Sequence, residues 1–431
     1  MKKTFYLETL GCPRNESDSE AIINNLINSY NFNLSETPED SDIIVVNGCA
    51  FIKEAVLESI ETILNLREKN KDALFVVVGC LAQRYGEELK KNLEEIDLIV
   101  GTGSIEKLPE LIIKGKSEVT SNSGFLGRSI FLNSPSVTPS HYRYLKIQEG
   151  CDFKCSFCII PKIKGGSRSK GISLIKEEIK SLPPIVKELI VVGQNTTSWG
   201  KDLGEGENLS KLIGEIAPLF PGWIRFLYFH PLSISDELLR IIHNFSNLIN
   251  YLDIPFQHVS DSVLSYMRRG YGRKEIEELL EMIDKVGEFT VRTTFIIGFP
   301  EEKEEDFKEL CDFIEKSNFD HIGIFEYSPE EGSTSYYMPC LKKKIIKERM
   351  REISKIIERK MEERSKKFIG KVVEVLIDGK ESGEYFGRMK SSAPEIDPVV
   401  WIPGNFKIKV GEIYPVVIKS VLGGDFVGEL K

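Results

Sequence analysis

The chain has 431 residues, 41% of them hydrophobic, with eight cysteines and a formal net charge of −9. That length and apolar content suit roughly two to four domains with cores of their own; the acidic balance (pI about 5.4) excludes a surface that gathers polyanions as a whole, and so few cysteines exclude a disulfide scaffold. No apolar run reaches the roughly 18 residues of a membrane span, and Glu8 interrupts the start MKKTFYLETLGC, so a cytoplasmic protein with no membrane partner is expected.

From residue 4 to 115 apolar strands alternate with amphipathic helices: TFYLETL and a helix from Ser17, DIIVVN and a helix from Lys53, LFVVVG and a helix from Arg84, DLIV and a helix from Ile105. The alternation predicts an α/β domain over 1–120, built on a doubly wound parallel sheet. Its first three strands run into Gly11-Cys12, Gly48-Cys49 and Gly79-Cys80, at the carboxyl edge where such sheets bind ligands. Neighbouring strands stand about 4.8 Å apart, so three thiols distant in sequence can meet. Three unrelated core cysteines would also give this pattern. Three out of three at the binding edge, each after glycine, favour a three-thiolate iron cluster.

A Ser/Pro/Thr-rich linker over 121–140 leads to a second cysteine set in the run CDFKCSFC, namely Cys151, Cys155 and Cys158. A structural zinc site is normally closed by four protein ligands. A four-iron cluster on three thiolates instead keeps one iron open for a small molecule. Strands at YRYLKIQ, ELIVVGQ, WIRFLYF, YLDIPFQ, VRTTFIIGF and HIGIFEY make six β/α units over 141–340, which predicts an incomplete (β/α)6 barrel. At the strand carboxyl ends lie the cysteine loop, Gly193-Gln194-Asn195, Phe229-His230, Gln257-His258 and Gly298-Phe299-Pro300-Glu301. For His230 and His258 a structural and a catalytic role fit equally. Cys311 reads as a core residue and Cys340 as a turn residue, neither with a function.

Residues 341–369 read as one charged helix, with twelve basic against five acidic residues over 342–367. Such a run is more often a solvated face than a phosphate grip. From 370 to 431 short strands (VVEVLID, VVWI, FKIKV, IYPVVIKSV) between Gly and Pro turns predict a small antiparallel five-stranded β-barrel.

Together, the two cysteine sets, the barrel and the β tail resemble the radical S-adenosylmethionine (SAM) methylthiotransferases over essentially the whole chain, the tail being similar to their TRAM domain. The resemblance implies that Cys12, Cys49 and Cys80 hold an auxiliary 4Fe-4S cluster, and that Cys151, Cys155 and Cys158 hold the radical SAM cluster. Phe157 stands at the family's aromatic position beside adenine, and Gln194 is a further SAM-seating candidate. One SAM donates a methyl group to sulfur, a second yields a 5′-deoxyadenosyl radical, and the methylthio group passes to a substrate carbon radical. No general acid or base is required.

Within the family, Gly11-Cys12-Pro13-Arg14-Asn15 and Pro255-Phe256-Gln257-His258 resemble the branch that modifies the β-carbon of an aspartate on ribosomal protein uS12, free or within the small subunit. The loop Ala393-Pro394-Glu395-Ile396-Asp397 also resembles that branch and is the candidate for recognising the substrate protein, its Glu395 and Asp397 suiting a basic partner. Gly193-Gln194-Asn195 departs from it and resembles the branch acting on adenosine in tRNA. The segment 371–431 carries eight basic and nine acidic residues, whereas an RNA-binding module is expected to be basic. The tRNA substrate is the alternative, and a non-catalytic iron-sulfur or zinc-stabilised RNA-binding protein is the alternative from another class.

Overall fold

The computed structural model describes residues 2–120, 127, 135–404 and 407–431. Strands β1 (Thr4–Thr9), β2 (Asn33–Leu34), β3 (Ile43–Gly48), β4 (Leu74–Val78) and β5 (Leu98–Gly101) form a parallel sheet in the order β2-β1-β3-β4-β5. The central strand β3 is buried on both faces, as its Ile and Val run requires. Helices α1 (Pro13–Asn24) and α4 (Leu108–Lys114) cover one face, α2 (Lys53–Lys69) and α3 (Gly79–Asn92) the other.

The doubly wound sheet is as expected, but helix starts differ. Helix α1 begins at Pro13 rather than Ser17, because proline's fixed φ suits a first helical turn. Its buried residues include Asn15, Ser17, Asp18, Ser19 and Glu20, so apolar periodicity hides it. Helix α3 begins at Gly79 rather than Arg84, and a break at Tyr85 (φ −124°, ψ 16°) separates its first turns from the rest. A 3-10 segment over Thr102–Lys107 moves the last start from Ile105 to Leu108. Strand β2 has only two residues, too few to leave a pattern.

The linker expected over 121–140 lies mostly outside the described residues. Beyond it come β6 (Tyr142–Lys146) and a short hairpin of β7 (Gln148–Glu149) with β8 (Arg168–Ser169). The cysteine loop and the short helix α5 (Ile160–Lys164) lie inside that hairpin. Strands β9 (Glu188–Val192), β10 (Trp223–Phe226), β11 (Tyr251–Asp253), β12 (Thr290–Ile297) and β13 (His321–Glu326) complete the expected six, in parallel sheets β10-β9-β6 and β11-β12-β13. A bridge joins Ile224 of β10 to Leu248, three residues before β11. Helices α6 (Ile172–Lys180), α7 (Leu209–Ile216), α8 (Asp236–Asn244), α9 (Asp261–Tyr266), α10 (Arg273–Val286), α11 (Glu304–Lys316) and α12 (Lys343–Lys366) alternate with the strands. Helix α12 buries Ile346, Arg349, Ile353 and Ile357.

The tail is a closed barrel of β14 (Val372–Glu381), β15 (Glu384–Met389), β16 (Val400–Ile402), β17 (Ile413–Leu422) and β18 (Asp425–Leu430), ordered β14-β15-β16-β18-β17. Its strand pairs are antiparallel except β16 with β18. The strand expected at FKIKV is absent: 407–409 are irregular, and Phe406 lies outside the described residues. Strands β15 and β18 take its place in the count. Both contain glycine, which weakens the alternation that marks a strand.

This small barrel packs at the amino ends of the larger one's strands. Leu376 and Ala393 join Tyr142, Tyr144, Ile190 and Tyr251 in one cluster. Buried Glu188 accepts Arg225 Nε at 2.8 Å and Arg388 Nη1 at 2.6 Å. Asp397 accepts from Tyr251 Oη at 2.5 Å, Arg292 Nη1 at 2.7 Å and the Ala393 amide at 2.8 Å. Of the loop expected to recognise a substrate, Ala393 and Pro394 are therefore buried and Asp397 is consumed in docking, while Glu395 and Ile396 face outward. Glu395 accepts from Tyr142 Oη at 3.3 Å. It also adds its charge to that of Glu20 beside Glu16, whose carboxyl is pushed up to about 7, first by burial and then by these two neighbours.

Two outcomes follow from this junction. Asp397→Ala leaves Arg292 short of a buried partner and is expected to cost on the order of 3 kcal/mol, read as a lower urea midpoint, with faster proteolysis between α12 and β14. For Glu16, the folded state binds the proton more tightly than the unfolded chain does. Stability is therefore lost as pH rises from the ordinary 4.5 to about 7. Glu16→Gln removes that loss, so its melting temperature minus that of the wild type should grow across this window and then level off.

Candidate active site

The carboxyl edge of the first sheet carries Cys12, Cys49 and Cys80 on three adjacent strands, β1, β3 and β4. The ladder continues through a Gly48–Gly79 bridge, so Cys49 and Cys80 follow paired residues at one level. Cys12 precedes α1 and Cys80 lies in the first turn of α3. Glycine is needed at two of these turns. Gly11 has φ 101°, and a Cβ there would lie 2.9 Å from Cys49 Sγ; Gly79 has φ 86°, and a Cβ would lie 2.2 Å from Asn47 Oδ1. Asn47 is buried and donates to Asn15 O at 2.9 Å, while Asn15 donates to Leu10 O at 2.8 Å. These two amides hold the Cys12 turn against the neighbouring strand.

The second set lies on the loop between β7 and α5. Cys151 donates its amide to Gly165 O at 3.1 Å, and Cys158 donates its own to Cys155 O at 3.1 Å. Ser156 anchors the middle of the loop, its hydroxyl donating to Tyr266 O at 2.7 Å. Phe157 packs beside Val263, Met267, Phe299 and Tyr327, next to the Gly298–Glu301 turn. Gln194 braces the loop's entrance: its oxygen accepts from Gly150 N at 2.9 Å and its nitrogen donates to Glu149 Oε1 at 2.7 Å. The Asn195 amide donates to Gln148 Oε1 at 3.0 Å.

Two side chains span the space between the sets. Arg14 donates to Cys12 Sγ at 3.4 Å and to Gly193 O at 3.4 Å, and lies 4.5 Å from the Tyr228 ring centroid. Lys164 pairs with Asp18 at 3.2 Å and Glu149 at 3.1 Å, and its charge is felt by Cys80. On the opposite flank Arg84 pairs with Glu330 at 2.9 Å. The carboxyl edges of the two sheets therefore face each other.

All eight cysteines are free. Burial pushes Cys80 and Cys158 up to about 12, and in each case neighbouring thiols push the same way. Cys12 differs: burial raises it, but the charge and hydrogen bond of Arg14 outweigh that and leave it lowered. Crowded thiols of this kind need a cationic centre to be held as thiolates. Among the described residues, no three His, Cys, Asp or Glu side chains are gathered tightly enough for a single metal ion. Three thiols at one sheet edge and three on one loop are the donor type that a four-iron cluster takes.

His230 and His258 behave differently from each other. The Nδ1 of His258 accepts from Ser260 N at 3.0 Å, a structural arrangement. His230 stacks on Phe153 of the cysteine loop with ring centroids 3.7 Å apart, and among the described residues neither of its ring nitrogens has a hydrogen-bond partner. Burial holds both histidines down to about 3, so they are neutral. The sequence reading missed Asn15, Asn47, Glu149 and Arg269 as site residues, because each is remote in sequence from the thiol it supports or reads as an ordinary polar position.

Comparison with known proteins agrees with this geometry. Residues 4–101 match the uncharacterized protein family UPF0004, 145–314 the radical SAM superfamily and 369–430 the TRAM domain. The chain is 38% identical to the ribosomal protein uS12 methylthiotransferase RimO of Thermoanaerobacter sp. (strain X514), over 99% of this chain and 100% of that one. It is 42% identical to the protein of that name from Aquifex aeolicus (strain VF5), over 97% and 95%. In fold it is similar to the cobalamin-dependent SAM radical enzyme OxsB with aqua-cobalamin and SAM bound, at TM-score 0.52 and 13% identity, covering 83% of this chain and 56% of that one. On its full-length relatives, its three matched segments and the cysteine loop at the mouth of a six-stranded half-barrel, the chain is a transferase that belongs to the radical SAM methylthiotransferase family, of RimO type.

Proposed function

We propose that this enzyme methylthiolates the β-carbon of an aspartate on ribosomal protein uS12, using two 4Fe-4S clusters and two SAM molecules. The observation that carries the two-cluster reading is the pair of cysteine sets at facing sheet edges, three adjacent strands on one side and one loop on the other. Cys12, Cys49 and Cys80 hold the auxiliary cluster, and Cys151, Cys155 and Cys158 the radical SAM cluster. When bound, these groups supply an electron to split SAM and a site from which sulfur reaches the substrate carbon. Phe157 offers a ring beside the cluster loop for adenine. Gln194 acts on the SAM seat through the loop that it braces. Arg14 holds the Cys12 turn against Gly193 and Tyr228, and so sets how far apart the two sites stand.

The substrate reading rests on the relatives' names and on charge. Exposed Glu395 stands close enough to Glu16 to push its carboxyl up, and acidic groups at such a surface favour a basic protein over a polyanion. Gly193-Gln194-Asn195, the one motif resembling the tRNA branch, turns Gln194 and the Asn195 amide back onto the cluster loop. It therefore speaks to the loop's bracing rather than to the substrate. Glu395 and Ile396 remain the outward candidates for touching uS12, free or in the small subunit, and such a partner places the enzyme in the cytoplasm.

The reconstituted protein, reduced under anaerobic conditions with SAM, should yield methylthiolated uS12 by mass spectrometry and leave tRNA unmodified; the reverse selectivity would overturn the substrate. Cys155→Ala should abolish formation of 5′-deoxyadenosine. Cys49→Ala should retain it within a few-fold while losing product, and equal loss of both activities in the two variants would refute the division of labour.

A further inference from the structure

Among the described residues, the buried arginines are, with one exception, each matched to a carboxylate. Arg225 and Arg388 pair with Glu188, Arg349 with Glu302 and Arg143 with Glu20. Arg269 is just as buried, at 5% exposure, yet no carboxylate lies within salt-bridge distance of it among the described residues. Its three donor groups are all used: Nε to Tyr271 Oη at 2.8 Å, Nη2 to Pro255 O at 2.9 Å and Nη1 to Cys155 Sγ at 3.2 Å. The chain leaves α9 through Arg268 at φ 57° and Gly270 at φ 74°, a left-handed exit. Arg269 lies between them, turned inward.

A guanidinium withdrawn from water without an anion is costly. A phenol and a peptide carbonyl offer only dipoles. Of the three partners, only Cys155 becomes an anion, and it does so on ligating a metal centre. The site is therefore electrically complete only when Cys155 is a thiolate within a larger, negatively charged group. We propose that Arg269 is the counter-ion of the cluster on Cys151, Cys155 and Cys158, a positioning residue that fixes the Cys155 ligand and eases acceptance of the electron needed to cleave SAM. The inference rests on the cluster reading above. Adding one electron from a low-potential donor makes the cluster one unit more negative, and a fixed positive charge at hydrogen-bond distance stabilises that state relative to the oxidised one.

The test uses the full chain with Cys12, Cys49 and Cys80 each changed to Ala, so that one cluster alone contributes to the electron paramagnetic resonance (EPR) signal. This parent is poised anaerobically with dithionite and redox mediators, and compared with the same chain carrying Arg269→Gln or Arg269→Lys. At the potential that half-reduces the parent, Arg269→Gln should lower the ratio of reduced to oxidised cluster at least tenfold, a shift of about 59 mV for a one-electron couple. Arg269→Lys, which keeps the charge and loses the fork, should recover most of that ratio. A ratio for Arg269→Gln within twofold of the parent, with about four irons bound, would overturn the proposal. If Arg269→Gln assembles no cluster, iron retained by Arg269→Lys supports the counter-ion role, and equal loss in both overturns it. A parent without iron would instead refute the cluster reading itself, and this inference with it.

Discussion

Four buried charges hold this molecule in its working arrangement. Lys146 pairs with Asp18 and with Glu149, and Lys164 pairs with the same two carboxylates, all four side chains being at most 2% exposed. Burial alone would raise the carboxyl of Glu149, but the two lysines hold it down to about 2. Two cations alternating with two anions leave no net buried charge, the condition under which such a group is tolerated. Its position gives it consequence. Asp18 lies on α1, directly after the Cys12 turn; Glu149 precedes Gly150-Cys151; Lys164 ends the short helix after Cys158. The quartet thus ties one cysteine set to both ends of the other, and losing any member would leave an uncompensated charge between them.

Around that joint the protein uses few kinds of device. Glycine with positive φ brings the Cys12 turn close to Cys49, and buried amides of Asn15 and Asn47 fix it there. One guanidinium reaches a sulfur of each set, Arg14 on Cys12 and Arg269 on Cys155. The remaining thiols are raised by burial and by one another. A cysteine set of this kind is poorly satisfied alone and is suited to a multinuclear cationic centre. The C-terminal barrel serves the same arrangement from the other end, covering the amino ends of the half-barrel strands through Glu188 and Asp397 while leaving the cysteine edge free.

Most of the architecture could be read from the chain because it rests on long apolar runs. The β3 segment IIVV and the six barrel strands carry such runs, and the two cysteine sets followed from spacing and from glycine at strand ends. What stayed hidden had polar or irregular signatures. The start of α1 buries Asn, Ser, Asp and Glu because it faces a charged joint rather than a core. The 393–397 loop suggests a recognition surface by its family resemblance and its two acidic residues, but Asp397 is turned onto Arg292 and Tyr251, a pairing across more than a hundred residues that no local pattern records. The FKIKV segment alternates like a strand, yet its residues 407–409 are irregular, and β15 and β18 supply the ladder partners that close the barrel.

The proposed chemistry requires each of the two cysteine sets to hold a four-iron cluster across this joint. Anaerobic purification followed by iron, labile-sulfide and zinc analysis tests it most directly. About eight irons and about eight sulfides per chain are expected, falling to about four of each when either set is changed to alanine. About four irons in the unaltered chain, or zinc in place of iron, would contradict it.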